Sequence, residues 1–320
     1  MDLSIIIVNW NSSKYLENCL KSIIDNTCRF PFEVIVVDNA SYDGCVEVVE
    51  RYSRIAKLIQ SDKNLGFARA NNLGYHHSKG RSLLFLNPDT EIFGDTLNKM
   101  HDTLLSIPDI GGLGCKVLNT DGSIQTSCIQ AFPTITNQLL DADCIRNLYP
   151  RSRLWGMGPL FGAGDQATEV EAIAGSCFMV RREAFERARL FSEDYFMYAE
   201  DIDLSYKLRQ QGYKNYYIGF ASIIHHGGGS TKYSKNGSFS SLIMRDSMNK
   251  YFLKIHGRYY RLIYILITQM ASLFRISIFF IIYLLTIFGY GDKNRAKSDL
   301  NKWKSIFLWS IGRENWVGEL

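Results

Sequence analysis

Short apolar runs alternate with segments of helical periodicity over the first hundred residues. The runs cover residues 3–8, 34–37 and 83–86, and each ends in polar side chains. The segment after the first run has apolar residues at the spacing of one helix face, at Leu16, Cys19, Leu20, Ile23 and Ile24. Because buried parallel strands are joined by helices, this alternation predicts βαβ units and a parallel sheet.

The three predicted strands end in residues that carry candidate chemistry. The first ends in Val8 and Asn9, the second in Asp38 and Asn39, and the third is followed by Asn87. Ligands of such sheets bind beyond the carboxyl ends of the strands, so these ends predict a nucleotide site at one edge. The alternative is that Asn and Asp at these positions only form turns and helix caps.

Composition and cysteine usage exclude several other classes. The 320 residues are 46% hydrophobic and 21% charged, which argues against a disordered or collagen-like chain. The seven cysteines are scattered and contain no C-x-x-C pair, so reduced thiols in the cytosol are expected rather than a zinc site or a disulfide framework. The N-terminal segment lacks a basic start and predicts a buried strand, not a signal peptide.

The C-terminal residues differ from the rest in charge and hydropathy. Residues 245–320 carry 12 Lys and Arg against 5 Asp and Glu, although the whole chain is only +4. Residues 262–288 are almost all apolar around a central Arg275, with basic residues on both sides. This pattern favours an interfacial or re-entrant helix pair on an anionic membrane. A single span with Arg275 buried, and packing against the body or a second copy, remain alternatives.

Five motifs follow in order over about 220 residues, at positions 37–44, 64–72, 87–89, 199–203 and 225–230. Together they resemble the inverting family 2 glycosyltransferases of the GT-A fold, most closely the rhamnosyltransferase-like branch. The resemblance implies an α/β fold, with a mixed GT-A (nucleotide-diphospho-sugar transferase) sheet flanked by helices and followed by the apolar, basic helical tail.

The resemblance covers about residues 2–232 and describes the tail only loosely. Together with the charge and hydropathy of the C-terminal residues, it implies a division of the chain. We expect a glycosyltransferase domain over residues 1–244, with a nucleotide-binding half over about 1–110 and an acceptor half over about 111–244. A membrane-associated helical tail is expected over 245–320.

Site roles are carried over from the resemblance position by position. The nucleotide and donor contacts are expected at Val8, Asn9, Asp38, Asn39, Asn64, Gly66 and Asn87. Asp201 is the expected base that takes the proton of the acceptor hydroxyl, and Glu200 and Gly175 are expected on the acceptor side. Two carboxylates at a predicted helix start are favoured by the helix dipole, so capping is an alternative role, and the dipole is expected to keep Asp201 ionised.

A divalent metal is expected beside the diphosphate. Relatives carry an Asp-x-Asp-like motif where this chain has Asn87-Pro88-Asp89, so only Asp89 is carried over as a ligand. His225 is the expected second ligand, with His226 as the alternative. Imidazole and carboxylate together suit Mn²⁺ somewhat better than Mg²⁺.

The expected activity is metal-dependent, inverting transfer of a hexose, with rhamnose as the narrower expectation. The donor is a nucleotide-diphosphate sugar, and the acceptor is a saccharide or its polyprenyl-diphosphate-linked form in bacterial surface polysaccharide synthesis. The expected location is the cytoplasmic face of the inner membrane, as a peripheral or monotopic protein, and nucleic acid is not an expected partner. Two rival hypotheses remain. One is a nucleotidyltransferase, although the chain lacks the Gly-rich phosphate loop that such enzymes need after the first strand. The other is a non-catalytic nucleotide-sugar-binding module.

Overall fold

Four parallel strands form one half of a nine-stranded sheet in the computed structural model. They are β1 (Leu3–Asn9), β2 (Phe32–Asp38), β3 (Ala56–Gln60) and β4 (Ser82–Leu86), in the spatial order β3-β2-β1-β4. Their apolar residues are almost all fully buried, which is why these strands read as continuous apolar runs. The three strands predicted from those runs are confirmed.

Helices connect these parallel strands. The connections are α1 (Ser13–Asp25), α2 (Cys45–Arg51) and α3 (Gly66–His76). Helix α3 packs closely on β1, because a Cβ atom at Gly74 would lie 2.5 Å from Cγ2 of Ile6. This close packing fixes where the loop before α3 meets the strand ends.

The second half of the sheet is mixed. It contains β5 (Thr90–Ile92), β6 (Ile110–Leu118), β8 (Thr168–Val170), β10 (Cys177–Arg181) and β11 (Lys214–His225). The sheet order continues from β4 through β10, β6 and β11 to β5, and β8 pairs with β11. Strand β10 is antiparallel to both β4 and β6, whereas β6 and β11 are parallel. An antiparallel β10 begins at the edge where β4 ends, so it brings residues from the middle of the chain to the carboxyl ends of the parallel strands.

The remaining elements complete the chain. A separate two-stranded sheet consists of β7 (Ile129–Gln130) and β9 (Ala172–Ile173). The remaining helices are α4 (Thr96–Ser106), α5 (Ile135–Leu139), α6 (Asp143–Leu148), α7 (Arg182–Arg187), α8 (Glu200–Gln210), α9 (Ser238–Ile287) and α10 (Lys293–Ser310).

The structure describes residues 1–26, 28–140, 143–162, 164–227 and 238–314. The chain divides into two compact units. The sheet unit comprises Met1–Phe132, Arg146–Glu193 and Glu200–Ser230, and the helical unit comprises Pro133–Ile145, Asp194–Ala199 and Thr231–Leu320. The expected boundary at residue 245 stays a prediction, and α9 begins before it, at Ser238.

The helical unit is built around α9 and α10. The backbone of α9 is interrupted at Gly257, where φ is 82° and ψ is −179°, so two helices meet there. The carboxylate of Asp292 caps α10 by accepting from the backbone N–H of Asn294 at 2.8 Å. The side-chain amide of Gln269 donates to the carbonyl of Ser310 at 2.9 Å and ties α9 to α10. These contacts hold the two helices together side by side.

Apolar side chains remain exposed along the second part of α9. As far as Ile278 they recur with the period of a helix face, and from Phe280 onward they lie all around the helix. They are Leu262, Ile263, Leu266, Met270, Leu273, Phe274, Ile278, Phe280, Ile281, Ile282, Leu284, Leu285 and Ile287, and we call them the apolar stripe. The buried side of the same helix carries hydroxyl groups at four-residue spacing, at Tyr264, Thr268 and Ser272. Within the described residues, α9 is one helix whose length and composition allow it to cross a membrane.

Candidate active site

The ends of β1 and β2 place two predicted site residues side by side. Asn9 and Asp38 are register partners in the sheet, and both are buried. The side-chain amide of Asn9 donates to Oγ of Ser41 at 3.0 Å, and Oδ1 of Asp38 accepts from the backbone N–H of Ser41 at 3.0 Å. Val8 lies one position earlier and packs against the apolar cluster beneath this edge. Ser41 therefore joins the two strand ends into one rigid polar surface.

A network of amides fixes the loop that precedes α3. Nδ2 of Asn39 donates to Oδ1 of Asn64 at 2.9 Å, and Oδ1 of Asn39 accepts from the backbone N–H of Leu65 at 2.8 Å. Asn64 also accepts from the N–H of Gly66 at 2.9 Å, and Gly66 starts the helix with a φ of 76°. The structure thus brings Asn39, Asn64 and Gly66 together, and both ends of the Asn39 amide contact this loop.

The end of β4 continues the same edge. Ile7 of β1 pairs with Leu86 of β4, and the N–H of Asn87 donates to the carbonyl of Ser176 at 3.1 Å, directly before β10. The strand ends thus follow one another from Asp38 through Asn9 and Asn87 to the residues before β10. At about 4.8 Å between neighbouring strands, this row is about 14 Å long.

Asp89 and His225 meet beside this row. Nε2 of His225 lies 3.1 Å from Oδ1 of Asp89 and 3.3 Å from the side-chain amide of Asn87. Asp89 is only 7% exposed. The two residues are adjacent because β11 pairs with β5, with His225 opposite Thr90. Sheet pairing therefore joins two predicted metal ligands that are far apart in the sequence.

Gln125 determines the orientation of the His225 ring, and the sequence analysis did not single it out. Oε1 of Gln125 lies 2.8 Å from Nδ1 of His225, and Nε2 of Gln125 donates to Oδ1 of Asn119 at 3.1 Å. Asn119 in turn donates to Oγ of Ser123 at 2.9 Å. Because Gln125 thus presents its oxygen, Nδ1 of His225 donates to it, and Nε2 is the ring nitrogen that faces Asp89 and the side-chain amide of Asn87.

His226 faces a different carboxylate. Its Nε2 lies 2.8 Å from Oε1 of Glu91, and its Nδ1 lies 3.0 Å from Oγ1 of Thr120. The two adjacent histidines thus diverge, as expected for neighbours on a strand. The structure places His225, not His226, against Asp89. Positions 228–230 of the fifth motif, at 225–230, lie outside the described residues.

The start of α8 carries the two carboxylates predicted for the acceptor side. Oδ2 of Asp201 accepts from the backbone N–H of Gly175 at 2.8 Å, and Oδ1 accepts from the N–H of Ile202 at 2.8 Å. The preceding residues, Tyr198 and Ala199, have φ angles of 69° and 65°, a costly conformation for residues other than glycine. Backbone strain of this kind clusters at functional sites. At Tyr198 and Ala199 it helps to set the direction of the first turn of α8.

Glycine at position 175 keeps the space beside Asp201 open. A Cβ atom there would lie 3.1 Å from Cζ of Phe67 and 3.6 Å from Oδ2 of Asp201. Phe67, from the first turn of α3, therefore stands close to the carboxylate. The ring gives this side of the site an apolar wall, a contact that sequence spacing does not reveal.

Burial changes the acidity of both carboxyl groups. Desolvation raises the pKa of Asp201, and the N–H groups of Gly175 and Ile202 only partly oppose this shift. Burial and the neighbouring charge of Asp201 raise the pKa of Glu200 well above its usual range. Burial therefore opposes the expected effect of the helix dipole at Asp201, and the expectation that Asp201 is ionised stays a prediction.

Glu200 is held inside the protein. It is 5% exposed, and its Oε2 has no hydrogen-bond partner among the described residues. A buried carboxyl group without a partner is stable in its protonated form. The two adjacent acids thus lie in different surroundings, Glu200 with its Oε2 unpartnered among the described residues and Asp201 held by two backbone N–H groups.

The described residues contain no group of three or more His, Cys, Asp and Glu side chains placed to hold a metal ion. A cation at Asp89 and His225 would therefore take its other ligands from Asn87, from water or from a bound phosphate.

A mixed sheet with a polar row at its strand ends, a carboxylate–histidine pair and a carboxylate at a helix start defines the class of GT-A glycosyltransferases. The family model for glycosyl transferase family 2 matches residues 4–189, more than half of the chain. The chain belongs to this family, and the resemblance and the fold class expected from the sequence are confirmed.

The relatives include two bacterial rhamnosyltransferases. The chain is 29% identical over 241 residues to the N-acetylglucosaminyl-diphospho-decaprenol L-rhamnosyltransferase of Mycobacterium tuberculosis, covering 72% of this chain and 77% of the relative. It is 24% identical over 231 residues to the rhamnosyltransferase WbbL of Escherichia coli, covering 69% and 82%.

Solved structures share the fold. The mannosyltransferase PcManGT from Pyrobaculum calidifontis, in complex with GDP-Man and Mn²⁺, matches with a TM-score of 0.58 at 14% identity, covering 98% of this chain and 87% of that one. GalNAc-T7 with UDP, GalNAc and Mn²⁺ matches with a TM-score of 0.54 at 18% identity, covering 71% and 44%. Because the sequence identities are low, these matches are evidence for the fold alone.

Proposed function

We propose that this chain is an inverting glycosyltransferase that moves a hexose, specifically rhamnose, from a nucleotide-diphosphate donor to a polyprenyl-diphosphate-linked saccharide. The reaction contributes to a bacterial surface polysaccharide on the cytoplasmic face of the inner membrane. Family membership establishes glycosyl transfer, and the names of the two rhamnosyltransferase relatives support the donor and acceptor. The observation that carries the proposal is the carboxylate of Asp201 standing at the end of the same strand-end row as Asp38.

The donor nucleotide binds along the strand ends. Asp38 has a second carboxylate oxygen beyond the one that Ser41 N–H engages, and it accepts a hydrogen bond from the base or ribose. Asn9 and the loop of Asn39, Asn64 and Gly66 form the rigid frame of this subsite, with Val8 packed beneath it. The diphosphate then extends toward Asn87 and Asp89.

The residues at the end of β4 fit a divalent cation. A divalent cation would be held by the carboxylate of Asp89 and the imidazole of His225, which are common ligand types for Mn²⁺ and which lie 3.1 Å apart. When Nδ1 of His225 donates to Gln125, Nε2 of the same ring presents its lone pair, and this form of imidazole binds metals. A bound Mn²⁺ or Mg²⁺ supplies neutralisation of the charge that develops on the diphosphate as the glycosidic bond breaks.

Asp201 acts as the base. It accepts the proton of the acceptor hydroxyl while that oxygen forms a bond to the anomeric carbon, and the nucleoside diphosphate leaves from the opposite face. The raised pKa of Asp201 makes it a stronger proton acceptor than an exposed aspartate. The N–H groups of Gly175 and Ile202 hold the carboxylate in place, and Gly175 leaves room for the acceptor. The raised pKa of Glu200 reduces the charge that this residue places beside Asp201.

The helical unit binds the membrane through the apolar stripe. In water a helix buries its apolar side, but the second part of α9 buries hydroxyls and exposes its aliphatic and aromatic residues. Polar groups turned inward are typical of helices in a bilayer. Basic residues around the stripe, including Arg261 and Lys293, complement an anionic leaflet.

The first test is calorimetric titration of UDP, dTDP and GDP into the full chain, with Mn²⁺ and again with EDTA. We expect tight binding of one nucleotide that is lost with EDTA and in Asp89→Ala. An anomeric assignment of the product by NMR then checks inversion. Retention of configuration, or nucleotide binding that is equal with EDTA and in Asp89→Ala, would contradict the proposal.

A further inference from the structure

A turn of costly backbone conformation follows α7 at residues 189–193, and we call it the α7 turn. Arg189 and Leu190 have φ angles of 57° and 60°, which residues other than glycine rarely adopt. The N–H of Leu190 donates to the carbonyl of Phe185 at 3.0 Å, so the turn folds back on α7. A conformation of this kind persists only where the surrounding structure holds it.

Helix α3 holds the α7 turn through one buried amide. Nδ2 of Asn72 donates to the carbonyl of Phe191 at 2.9 Å, and Oδ1 of Asn72 accepts from the N–H of Phe191 at 3.1 Å. This amide thus binds both backbone groups of one residue, as a neighbouring strand would. The ring of Phe191 also lies edge-on to Phe67, with 6.0 Å between the ring centroids. The α7 turn therefore supports the apolar wall that Phe67 forms beside Asp201.

Helix α8 holds the same turn through two charged side chains. Oδ2 of Asp203 accepts from Oγ of Ser192 at 2.5 Å and lies 3.4 Å from Nζ of Lys207. Nζ of Lys207 donates to the carbonyl of Leu190 at 2.5 Å and to Oγ of Ser192 at 3.0 Å. Both charged residues belong to the first half of α8 or its middle, one turn apart. The α7 turn is thus bonded to α3 and to α8 at once.

The ion pair of Asp203 and Lys207 contributes geometry more than stability. Asp203 is fully buried, and the side chain of Lys207 is 18% exposed. The loss of hydration offsets most of the attraction between such charges, so apolar residues of similar volume would stabilise the fold about as well. Charged hydrogen bonds, however, are shorter and stronger than neutral ones and fix the groups that they join. The pair therefore sets where the start of α8 lies relative to the α7 turn.

The two helices that the α7 turn joins carry both walls of the space beside Gly175. Phe67 lies in the first turn of α3, and Asp201 lies in the first turn of α8. A Cβ atom at Gly175 would contact both side chains, so a small shift of either helix start changes this space. A displacement of about 1 Å at a reacting group can lower a rate about 100-fold. This space is therefore sensitive to whatever holds α3 and α8 in place.

We propose that the α7 turn and the side chains that hold it are a positioning device for Asp201. Its positioning residues are Asn72, Asp203 and Lys207, which act on the direction of α8 through the turn and not through contact with substrate. The device keeps the carboxylate of Asp201 on the N–H of Gly175, where it faces the acceptor hydroxyl. The inference rests on the proposed role of Asp201 as the base.

The first test is amide hydrogen exchange at Gly175 in the full chain, followed by NMR. The N–H of Gly175 donates to Oδ2 of Asp201, so its protection reports whether the carboxylate is in place. Ile6, in the middle of β1, reports global opening, and the measured quantity is the ratio of the two exchange rates. Ser192→Ala removes the hydroxyl that joins the α7 turn to α8. We expect it to raise the ratio about fivefold to tenfold.

Ser4→Ala is the matched control for Ser192→Ala. The hydroxyl of Ser4 also donates to a carboxylate, that of Glu33 at 2.6 Å, but it lies near the amino end of β1, away from the strand-end row. Its loss should lower global stability and leave the exchange ratio unchanged. An unchanged ratio in Ser192→Ala, or an equal rise in both variants, would overturn the proposal.

The second test separates positioning from stability. Asp203→Asn removes the negative charge beside Lys207, so the protein should unfold more easily and kcat should fall about 10- to 100-fold. The double variant Asp203→Asn with Lys207→Met removes both charges, and most of the lost stability should return. We expect kcat to stay low in the double variant, because the ions no longer tie the α7 turn to α8. Recovery of kcat together with stability would show a structural role only and contradict the proposal.

Transfer is measured with a rhamnosyl nucleotide and a polyprenyl-diphosphate-linked N-acetylglucosamine. The affinity for the nucleotide diphosphate, measured by calorimetry, should stay within a few fold in every variant. Hydrogen exchange needs no substrate, so its result stands whatever sugar the enzyme transfers. A fully active Asp201→Asn with a raised exchange ratio in Ser192→Ala would overturn the base and still support the positioning of the carboxylate. The proposed function and this inference therefore fail separately.

Discussion

The sheet unit and the helical unit distribute polar and apolar side chains in opposite ways. In the sheet unit, β1 and β2 bury continuous apolar runs, and the polar groups lie at the strand ends around Asn9 and Asp38. In the helical unit, the second part of α9 buries Tyr264, Thr268 and Ser272 and exposes the apolar stripe.

This difference in the distribution of polar and apolar side chains reflects the medium that the surface of each unit contacts. An exposed aromatic such as Tyr42 stands alone in the sheet unit, and isolated exposed apolar residues are ordinary. A continuous stripe is not ordinary for a surface in water and marks an interaction with another apolar phase. This contrast agrees with the proposal that the sheet unit binds a charged donor from water and that the helical unit contacts lipid.

Asp201→Asn should have the largest effect. The amide keeps the shape of the side chain but cannot accept the hydroxyl proton, so transfer should fall about 10²- to 10⁴-fold. Affinity for the nucleotide diphosphate, measured by calorimetry, should stay within a few fold. Asp25→Asn, an exposed acid at the end of α1, is the matched control. A fully active Asp201→Asn would remove Asp201 as the base.

Phe274→Glu should abolish most of the membrane binding. Phe274 is 68% exposed within the apolar stripe, and loss of its burial in lipid should weaken flotation with vesicles about 10- to 100-fold. Tyr42→Glu places the same charge at a residue that is 92% exposed in the sheet unit and should leave binding unchanged. Equal effects of the two substitutions would show that the stripe has no special contact with lipid.

Gln125→Leu should weaken metal binding without touching the metal. Without its oxygen the Nδ1 proton of His225 loses its partner, and the lone pair at Nε2 is no longer fixed, so the dissociation constant for Mn²⁺ should rise about tenfold. Electron paramagnetic resonance of free Mn²⁺ measures this in the presence of the bound nucleotide. Gln125→Glu retains an acceptor and should bind within a few fold of the wild type, and Gln211→Leu, an exposed residue after α8, is the control. Unchanged affinity in Gln125→Leu would place His225 outside the metal site.

Glu200→Gln should change the pH dependence of stability, with the smallest effect of the four. The pKa of Glu200 is raised in the folded state, so its contribution to the free energy of unfolding is fully present below its ordinary pKa and is lost as pH rises through the raised value. The glutamine variant cannot ionise and should lose less stability between acidic and neutral pH. Urea unfolding over that range measures the difference, with exposed Glu50→Gln as control. Identical pH profiles of wild type and Glu200→Gln would show that Glu200 is not the group responsible.

The parallel half of the sheet was predictable because its signal is local. The runs at residues 3–8, 34–37 and 83–86 match β1, β2 and β4 to within two residues at each end. The mixed half was not resolved in this way. Strand β10 lies between β4 and β6 because its apolar residues fit there, and such antiparallel pairing depends on partners distant in sequence.

The types of residue that form part of the candidate site were predictable from the sequence, but their arrangement in space was not. Asp89 and His225 were paired by resemblance, whereas Gln125 was missed because no local spacing links a glutamine to a histidine 100 residues away. The contact of Phe67 with the space at Gly175 was missed for the same reason. The acidity of Asp201 was predicted from its helix start alone, whereas burial, which depends on the fold, raises its pKa.

Four features were readable from local patterns in the sequence: the apolar strands, the polar residues that follow them, the family, and the apolar, basic character of the C-terminal segment. They were readable because each pattern extends over only a few neighbouring residues. The tertiary structure alone decided which polar groups meet, how far Glu200 and Asp201 are desolvated and which side of α9 remains exposed. Hydrogen bonding and solvation depend on atoms that folding brings together from distant parts of the chain. For this reason the nature of the chemistry was readable in the sequence, whereas its arrangement was not.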